Sequence, residues 1–428
     1  MKRTIWLCLG ALSMLGAVAC DGDDDGENTS SSSSGGNNTS SSSSSSGNNT
    51  SSSSGSSGNN TSSSGGSSGT TDCVDTDFVY PADNSAPLAA DVYNDYFTLD
   101  AAFPFDVVGF YTASELPTSV DEAGRLVAIT VNSDNGDIVV TPFTVPAAAE
   151  GAITAAATVA TLSPPNNPFG DGKAMYANYA PPAISLPNNG WISSYTSTAV
   201  DGIVPGYAFL FDGSTFKGGA WANGIYAGVH QSAEGAGRLL YHGFSKLSAA
   251  QSDENVSGVY SARDCAAGLV GEACGVATLL IPTDSESSGP LVKDAAKNIF
   301  VATVGADGVN VRGLSRCASL RDVGDETTPI ATIAQFFTSS FAVVPPTATL
   351  SGFAVHEYNE YATLNQIFDA VPLRRQGAGF TAEATIANAI VNADDSDLTL
   401  LSDDKGYLWI TIDAEGDLRV AKLRRRQN

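Results

Sequence analysis

The sequence predicts an all-β fold, a β-propeller-like repeat of roughly 55-residue units that follows a disordered N-terminal tether. Three observations predict this arrangement: segments with the pattern of β-hairpins, a regular spacing between those segments, and a long tract without apolar residues. Two tandem β-sandwiches would also produce many short strands and are the alternative fold.

Several segments have the pattern of a β-hairpin. In each, an apolar or β-branched run is followed by a short Asp, Asn or Gly turn and by a second such run. The clearest cover residues 125–140, 298–311 and 407–420. One segment differs, because residues 361–371 place apolar side chains at helical spacing, which predicts a helix that Pro372 ends.

The hairpins recur along the chain. If the first interval spans two units, they start at intervals of roughly 55 residues, near Gly124, Gly237, Lys297, Gly352 and Gly406. An aspartate precedes the first strand at three of these places, at Asp121, Asp294 and Asp403. About six or seven such units would occupy Cys73 to Asn428, which favours a propeller.

One unit of the repeat has no matching hairpin. It falls in a proline-rich segment, Ser163 to Tyr195, which reads as a long irregular insertion. Its aromatic side chains could stack on a sugar or hold a peptide, or they could only pin the loop to the body of the protein. The candidate ligand-binding residues are Tyr176, Tyr179, Trp191 and Tyr195.

The first 20 residues, "MKRTIWLCLGALSMLGAVAC", have a basic start, an apolar run and small residues before a cysteine. This pattern is typical of a secretory signal peptide. Ala17-Val18-Ala19-Cys20 resembles the lipobox of bacterial lipoproteins, although leucine is commoner at the first position. The resemblance implies that residues 1–19 are removed and that acyl chains on Cys20 attach the protein to a membrane.

The cysteine count favours this resemblance. Lipidation of Cys20 leaves an even number for disulfides in an oxidising compartment, whereas ordinary cleavage to a soluble secreted protein leaves one cysteine unpaired. Cys265 and Cys274 are close in sequence with glycines between them, which favours a local bridge. Cys73 and Cys317 would then form the second bridge, although other pairings stay open.

Between Cys20 and the folded part lies a tether. From Asp21 to Asp72 every residue is Asp, Glu, Gly, Asn, Ser or Thr, so no side chain can enter a hydrophobic core. We expect residues 20–72 to be a lipidated cysteine plus a disordered spacer, and residues 73–428 to form one all-β globular domain. Such a spacer fits a lipid-anchored domain of the bacterial cell envelope that reaches away from its membrane. We expect the anchor to lie in the outer membrane or at the cell surface rather than in the inner membrane.

The chain is strongly acidic, with a net charge of −25. This charge repels nucleic acid and anionic lipid headgroups, so no nucleic-acid partner is expected. No cofactor is implied, apart from calcium. An acidic patch between strands could bind calcium, or it could be a plain polar turn. The patch comprises Asp394, Asp395, Asp397, Asp403 and Asp404.

No catalytic residue can be assigned from a motif. His356-Glu357 begins like the zinc motif His-Glu-x-x-His, but Glu360 stands where the second histidine should be. A metal site therefore stays undetermined. The absence of catalytic motifs favours a non-catalytic binding or scaffolding module for a glycan or an envelope protein. The alternative is an extracellular hydrolase or lyase that acts on polysaccharide with carboxylates in a propeller channel.

Overall fold

The structure is a computed structural model of the chain. It describes residues 74–121, 124–131, 138–156, 160–162, 175–177, 189–196, 205–212, 215–223, 229–231, 238–244, 257–263, 277–283, 290–319, 328–333, 340–359 and 365–427. These residues belong to one compact unit that spans Cys73–Asn428. The signal peptide, Cys20 and the tether lie outside the described residues, so the predictions made for them stay predictions.

The described part of the chain contains strands β1 to β28, arranged in six sheets that we number as blades. Blade 1 contains β3 (Ser119–Val120), β4 (Leu126–Val131), β5 (Ile138–Thr144), β7 (Thr154–Ala155) and β8 (Ala160–Leu162). Blade 2 contains β9 (Met175–Ala177), β10 (Asn189–Thr196), β11 (Pro205–Asp212) and β12 (Thr215–Asn223). Blade 3 contains β13 (Val229–Gln231), β14 (Arg238–Phe244), β15 (Ser257–Arg263) and β16 (Ala277–Pro282).

The other three blades follow the same plan. Blade 4 contains β17 (Leu291–Lys293), β18 (Ile299–Gly305), β19 (Gly308–Leu314) and β20 (Ala331–Ile333). Blade 5 contains β21 (Phe341–Val344), β22 (Gly352–Asn359), β23 (Gln366–Gln376), β24 (Gly379–Ala382), β25 (Ile386–Asn392) and β1 (Phe97–Leu99). Blade 6 contains β26 (Asp397–Ser402), β27 (Leu408–Ala414), β28 (Asp417–Arg425), β2 (Phe105–Thr112) and β6 (Glu150–Ala152).

The blades form a closed ring around their innermost strands. Strand β13 lies against β17, β17 against β21, β21 against β26 and β26 against β3, and contacts of β9 with β4 and of β10 with β13 complete the circle. Strands from both ends of the folded part share a blade, because β2 pairs with β28 in blade 6. Strand β1 likewise pairs with β25 in blade 5. This is a β-propeller, as the sequence predicted, and the alternative of tandem sandwiches is wrong.

The three predicted hairpins are confirmed. They are the antiparallel pairs β4–β5, β18–β19 and β27–β28. The repeat in the sequence corresponds to the blades. Four of the five marked positions lie between the innermost and second strands of a blade, and the fifth, Gly352, is the first residue of the second strand of blade 5. Blade 2 accounts for the unit without a matching hairpin, because its innermost strand β9 and its neighbour β10 lie within the proline-rich segment.

The hydrophobic core is divided into layers between neighbouring blades. Phe353, Leu408 and Phe105 belong to the layer between blades 5 and 6. Phe300 and Phe341 belong to the layer between blades 4 and 5. Blades 4, 5 and 6 therefore bury apolar side chains on both faces, which holds them to their neighbours.

The predicted helix is wrong for residues 366–371, which belong to β23; this strand continues through Pro372 to Gln376. Residues 361–364 of that prediction lie outside the described residues. Both faces of this strand are covered by neighbouring blades, so its residues form a continuous apolar run that periodicity alone cannot distinguish from a helix. Helical structure among the described residues is limited to one 3-10 turn, Ala90–Val92, and one α-helical turn, Arg316–Ser319. No helix there is long and apolar enough to cross a membrane.

Candidate active site

Three blades use the same aspartate turn to connect their innermost and second strands. In each turn the aspartate N–H donates to the carbonyl four residues later, and its own carbonyl accepts the N–H of the residue three later. One carboxylate oxygen then accepts the backbone N–H of the fourth residue. These last bonds are Arg125 N to Asp121 Oδ1 (2.8 Å), Asn298 N to Asp294 Oδ1 (2.8 Å) and Tyr407 N to Asp403 Oδ1 (2.9 Å).

The turn explains why glycine occupies two of the marked positions of the repeat. Its third residue after the aspartate has a positive φ, of 73° at Gly124, 69° at Lys297 and 80° at Gly406. Glycine adopts this conformation without the steric penalty that a Cβ imposes, which accounts for two of the three residues. The second carboxylate oxygen in each turn accepts a side-chain donor: Arg125 Nε at 2.7 Å, Asn298 Nδ2 at 2.7 Å and Trp409 Nε1 at 3.0 Å.

The three turns border one cavity of about 80 Å³ at the axis of the ring, which we call the axial cavity. Residues of blades 1, 4, 5 and 6 line it, among them Asp121, Asp294, Asp403, Asp404 and Lys293. The cavity is large enough to hold several water molecules beside the carboxylates.

The carboxylates of the axial cavity lie in different environments. Asp294 is 2 % exposed, and burial raises its pKa to about 7, although hydrogen bonds from Asn298 favour the charged form. Burial also raises the pKa of Asp403. Asp294 is therefore partly protonated near neutral pH and can serve as an acid.

Asp404 differs from its neighbours in having a buried carboxylate oxygen that accepts no hydrogen bond. Its Oδ1 has no partner in the structure, although the residue as a whole is only half-buried. The carboxylate packs directly against Gly124 of blade 1, where any Cβ would collide with it. Asp404 thus contributes to the cavity a carboxylate whose buried Oδ1 is not held by a hydrogen bond.

The predicted acidic patch is not one patch. Asp394 and Asp395 lie before β26, whereas Asp403 and Asp404 follow it, so the length of a six-residue strand separates the two pairs. Among the described residues no group of three histidine, cysteine or acidic side chains is arranged to hold a metal ion. His356 lies in blade 5, whereas His230 and His242 lie in strands of blade 3.

Three of the four predicted aromatic ligand-binding residues lie in strands rather than in an irregular loop. Tyr176 is in β9, Trp191 and Tyr195 are in β10, and the register pairs Tyr195 with Tyr176. Their side chains and the whole of Tyr179 lie outside the described residues. Sugar binding by this group stays a prediction.

Of the predicted disulfide cysteines, only Cys317 is described. It is buried and disulfide-bonded, and its partner lies outside the described residues, as do Cys73, Cys265 and Cys274. Arg316 NH2 donates to the carbonyl of Val74 at 2.8 Å, so the chain next to Cys73 lies beside Cys317. The pairing of Cys73 with Cys317 stays a prediction that this contact favours.

No family model matches the chain, and no curated protein matches it. Among solved structures, the chain is similar to an α-L-arabinofuranosidase from Fusarium graminearum, a point mutant in complex with an iminosugar inhibitor, with 12% identity and a TM-score of 0.34 over 72% of this chain and 95% of that one. It is also similar to an endo-arabinase from Bacteroides thetaiotaomicron, with 10% identity and a TM-score of 0.29 over 56% of this chain and 90% of that one. A complex of the Fusarium graminearum GH93 enzyme with arabinobiose gives 11% identity and a TM-score of 0.24 over 74% and 98%.

The non-catalytic binding or scaffolding module expected from the sequence is not supported by these comparisons. The solved structures are named as an arabinofuranosidase and an endo-arabinase, and the likeness to them shows the fold alone. The alternative required carboxylates that converge in one concave site, and the axial cavity has that arrangement. In the sequence, Asp121, Asp294 and Asp403 indicate the repeat and carry no motif that assigns them a chemical role.

Proposed function

We propose that the chain is a carboxylate-dependent glycoside hydrolase that acts on polysaccharide outside the cytoplasm. The observation that supports this proposal is the convergence of Asp294 and Asp404 on the axial cavity in unlike environments. Glycoside hydrolysis needs two carboxyl groups, one to protonate the leaving oxygen and one to activate water or attack the sugar. Enzymes obtain the two roles by giving the two groups different surroundings.

In this proposal Asp294 is the general acid and Asp404 the general base. Asp294 gives its proton to the glycosidic oxygen as the bond from that oxygen to the anomeric carbon breaks. A water molecule in the axial cavity forms the new bond to the anomeric carbon and gives a proton to Asp404. Asp121 and Asp403 shape the cavity wall in this proposal; like Asp294, they stabilise their turns by accepting hydrogen bonds on both carboxylate oxygens.

The test is the release of reducing sugar from polysaccharides, beginning with arabinan and arabinose oligosaccharides. Asp404→Asn should lower the turnover number by a factor of about 10² to 10⁴, as expected for loss of a general base. Asp394→Asn is the matched control, because Asp394 is exposed and lies at the other end of β26. If the parent chain hydrolyses a substrate and Asp404→Asn does so with the same turnover number, the assignment of Asp404 as the general base is refuted.

Asp294→Asn tests the proposed acid separately. Asparagine keeps an acceptor for the backbone N–H of Asn298 but cannot donate the catalytic proton. Turnover should fall most for substrates with poor leaving groups and least for an activated aryl glycoside, which needs no protonation. A purely structural role would lower both rates equally, and thermal unfolding of the variant identifies that case.

We also propose that the enzyme is a lipoprotein of the bacterial cell envelope, anchored through Cys20 and extended by residues 21–72. The support is the lipobox-like sequence and the cysteine count, both of which belong to the sequence. Cys20→Ser should release the protein from the membrane fraction of fractionated cells. Continued membrane association of that variant would contradict the anchor.

A further inference from the structure

A second, larger cavity lies between blades 6 and 1, away from the axis. We call it the inter-blade cavity; its volume is about 320 Å³, within the range of small-ligand sites. One wall is aromatic and apolar and includes Tyr111, Phe143 and Trp409. The other carries the cations Arg125, Lys405 and Lys422, whereas Asp403 is the one acidic residue of the lining.

The charge of this lining contrasts with the rest of the chain. The protein has 21 lysines and arginines against 46 aspartates and glutamates, so three cations around one small cavity oppose the overall charge. Arg125 is paired with Asp121 at 2.7 Å. Lys405 is exposed and has no ion-pair partner among the described residues, so its charge is available to a ligand.

Lys422 shares the cavity with Lys405. Its Nζ lies 3.7 Å from the centre of the Tyr407 ring and 3.9 Å from Asp83 Oδ2. Burial lowers the pKa of Lys422, the charges of Asp83 and Asp403 oppose this shift, and the charges of Lys405 and Arg424 add to it. A bound anion would stabilise the two ammonium groups of this cavity.

The edge of the cavity already holds one carboxylate, supplied by the N-terminal segment of the folded part. Asp83 accepts the hydroxyl of Tyr407 at 2.6 Å and lies 3.8 Å from Arg424 as well as near Lys422. Burial would raise the pKa of Asp83, but hydrogen bonds from Ser85 and Tyr407 and the charge of Lys422 lower it to about 2. The site edge is therefore built to bind a carboxylate, and Ser85 itself lines the cavity.

We propose that the inter-blade cavity binds a carboxylate-bearing saccharide, a uronate residue, with its carboxylate between Lys405 and Lys422 and its ring against the apolar wall. Asp83 competes with this ligand for Lys422. The lining of this cavity includes neither Asp294 nor Asp404, although Asp403 lines both cavities, so the site would hold an acidic unit of a polysaccharide while another unit is hydrolysed.

The experiment is isothermal titration calorimetry of the full chain with trigalacturonate, and with galactotriose as its neutral counterpart. Wild-type protein should bind trigalacturonate and show at least tenfold weaker binding of galactotriose. Lys405→Gln should weaken trigalacturonate binding by about tenfold, and Asp83→Asn should strengthen it several-fold by releasing Lys422. Arg374→Gln is the control for net charge, because Arg374 lies in blade 5, and it should leave affinity within about twofold of wild type.

Distinct results overturn the proposal. Equal affinity for the neutral and acidic trisaccharides excludes recognition of the carboxylate. Equal weakening in Lys405→Gln and Arg374→Gln shows a general charge effect instead of a site, and failure of the parent chain to bind trigalacturonate refutes the site directly. Asp294→Asn separates this site from the proposed hydrolase, since it should lose turnover while it keeps trigalacturonate binding.

Discussion

His356 supplies a prediction about stability that can be worked out from its surroundings. The side chain is 0 % exposed on β22, between Phe341 and Asp369 on the neighbouring strands, and neither ring nitrogen has a hydrogen-bond partner. Burial lowers its pKa from 6.5 to about 4. The folded protein therefore holds this imidazole neutral at a pH where the unfolded chain protonates it.

The sign of the effect follows from proton binding. Between pH 6.5 and about 4 the unfolded state binds more protons at this residue than the folded state, so its contribution to stability is complete above 6.5 and is lost as the pH falls. At pH 4.5 the unfolded imidazole is almost fully protonated and the folded one only about a quarter. This difference lowers the free energy of unfolding by about 2.5 kcal/mol relative to pH 7.5.

The perturbation is His356→Leu, which keeps similar volume and removes the titrating group. Urea denaturation followed by tryptophan fluorescence at pH 7.5 and 4.5 gives the free energy of unfolding of each protein. At pH 7.5 the free energy of unfolding of the variant should equal or exceed that of the wild type, because the variant no longer buries an unpaired polar group. At pH 4.5 its advantage over the wild type should be larger by about 2.5 kcal/mol. Asp294 and Asp369 titrate in both proteins, so the difference between the proteins isolates His356.

Val355→Ala is the control on the same strand. It should destabilise the protein by about 2 kcal/mol at both pH values, because it removes buried methyl groups and no charge. If His356→Leu instead kept the same pH dependence as the wild type, the imidazole would not be held neutral by burial, and the reasoning would be refuted.

Three further predictions concern the active site, a turn and a disulfide. Hydrolysis should slow as the pH rises through about 7, because Asp294 must be protonated to act as the acid, and Asp294→Asn should abolish that limb of the pH–rate profile; an unchanged limb would assign it to another group. Gly124→Ala should lower the free energy of unfolding by about 2 to 3 kcal/mol, because it adds backbone strain and a collision with Asp404. Gly377→Ala is the control: Gly377 also has a positive φ but nothing lies within 4 Å of its added Cβ, so the loss should be only about 1 kcal/mol. Equal losses in the two variants would show that φ alone matters. Peptide mapping of the unreduced protein should link a Cys73 peptide to Cys317, and a link from Cys73 to Cys265 or Cys274 would contradict both predicted bridges.

The sequence determined the blades because their signals are local. Hairpins depend on strand runs and on the turn between them, and the aspartate turn encloses only five residues, so Asp294 and Lys297 are close in sequence as well as in space. The repeat of these turns was sufficient to predict the propeller. The same local reasoning failed for residues 366–371, because burial on both faces of a strand removes the alternation that distinguishes a strand from a helix.

Only the tertiary structure decided which residues meet. Asp121, Asp294 and Asp404 come from blades 1, 4 and 6, and closure of the ring brings them to one cavity from distant parts of the chain. Arg424 lies near the end of the chain and binds Asp83 near the start of the folded part, because β28 pairs with β2 and places the two ends of the folded part together. Local patterns contain no information about such pairs, since burial and charge at a site depend on every element packed around it.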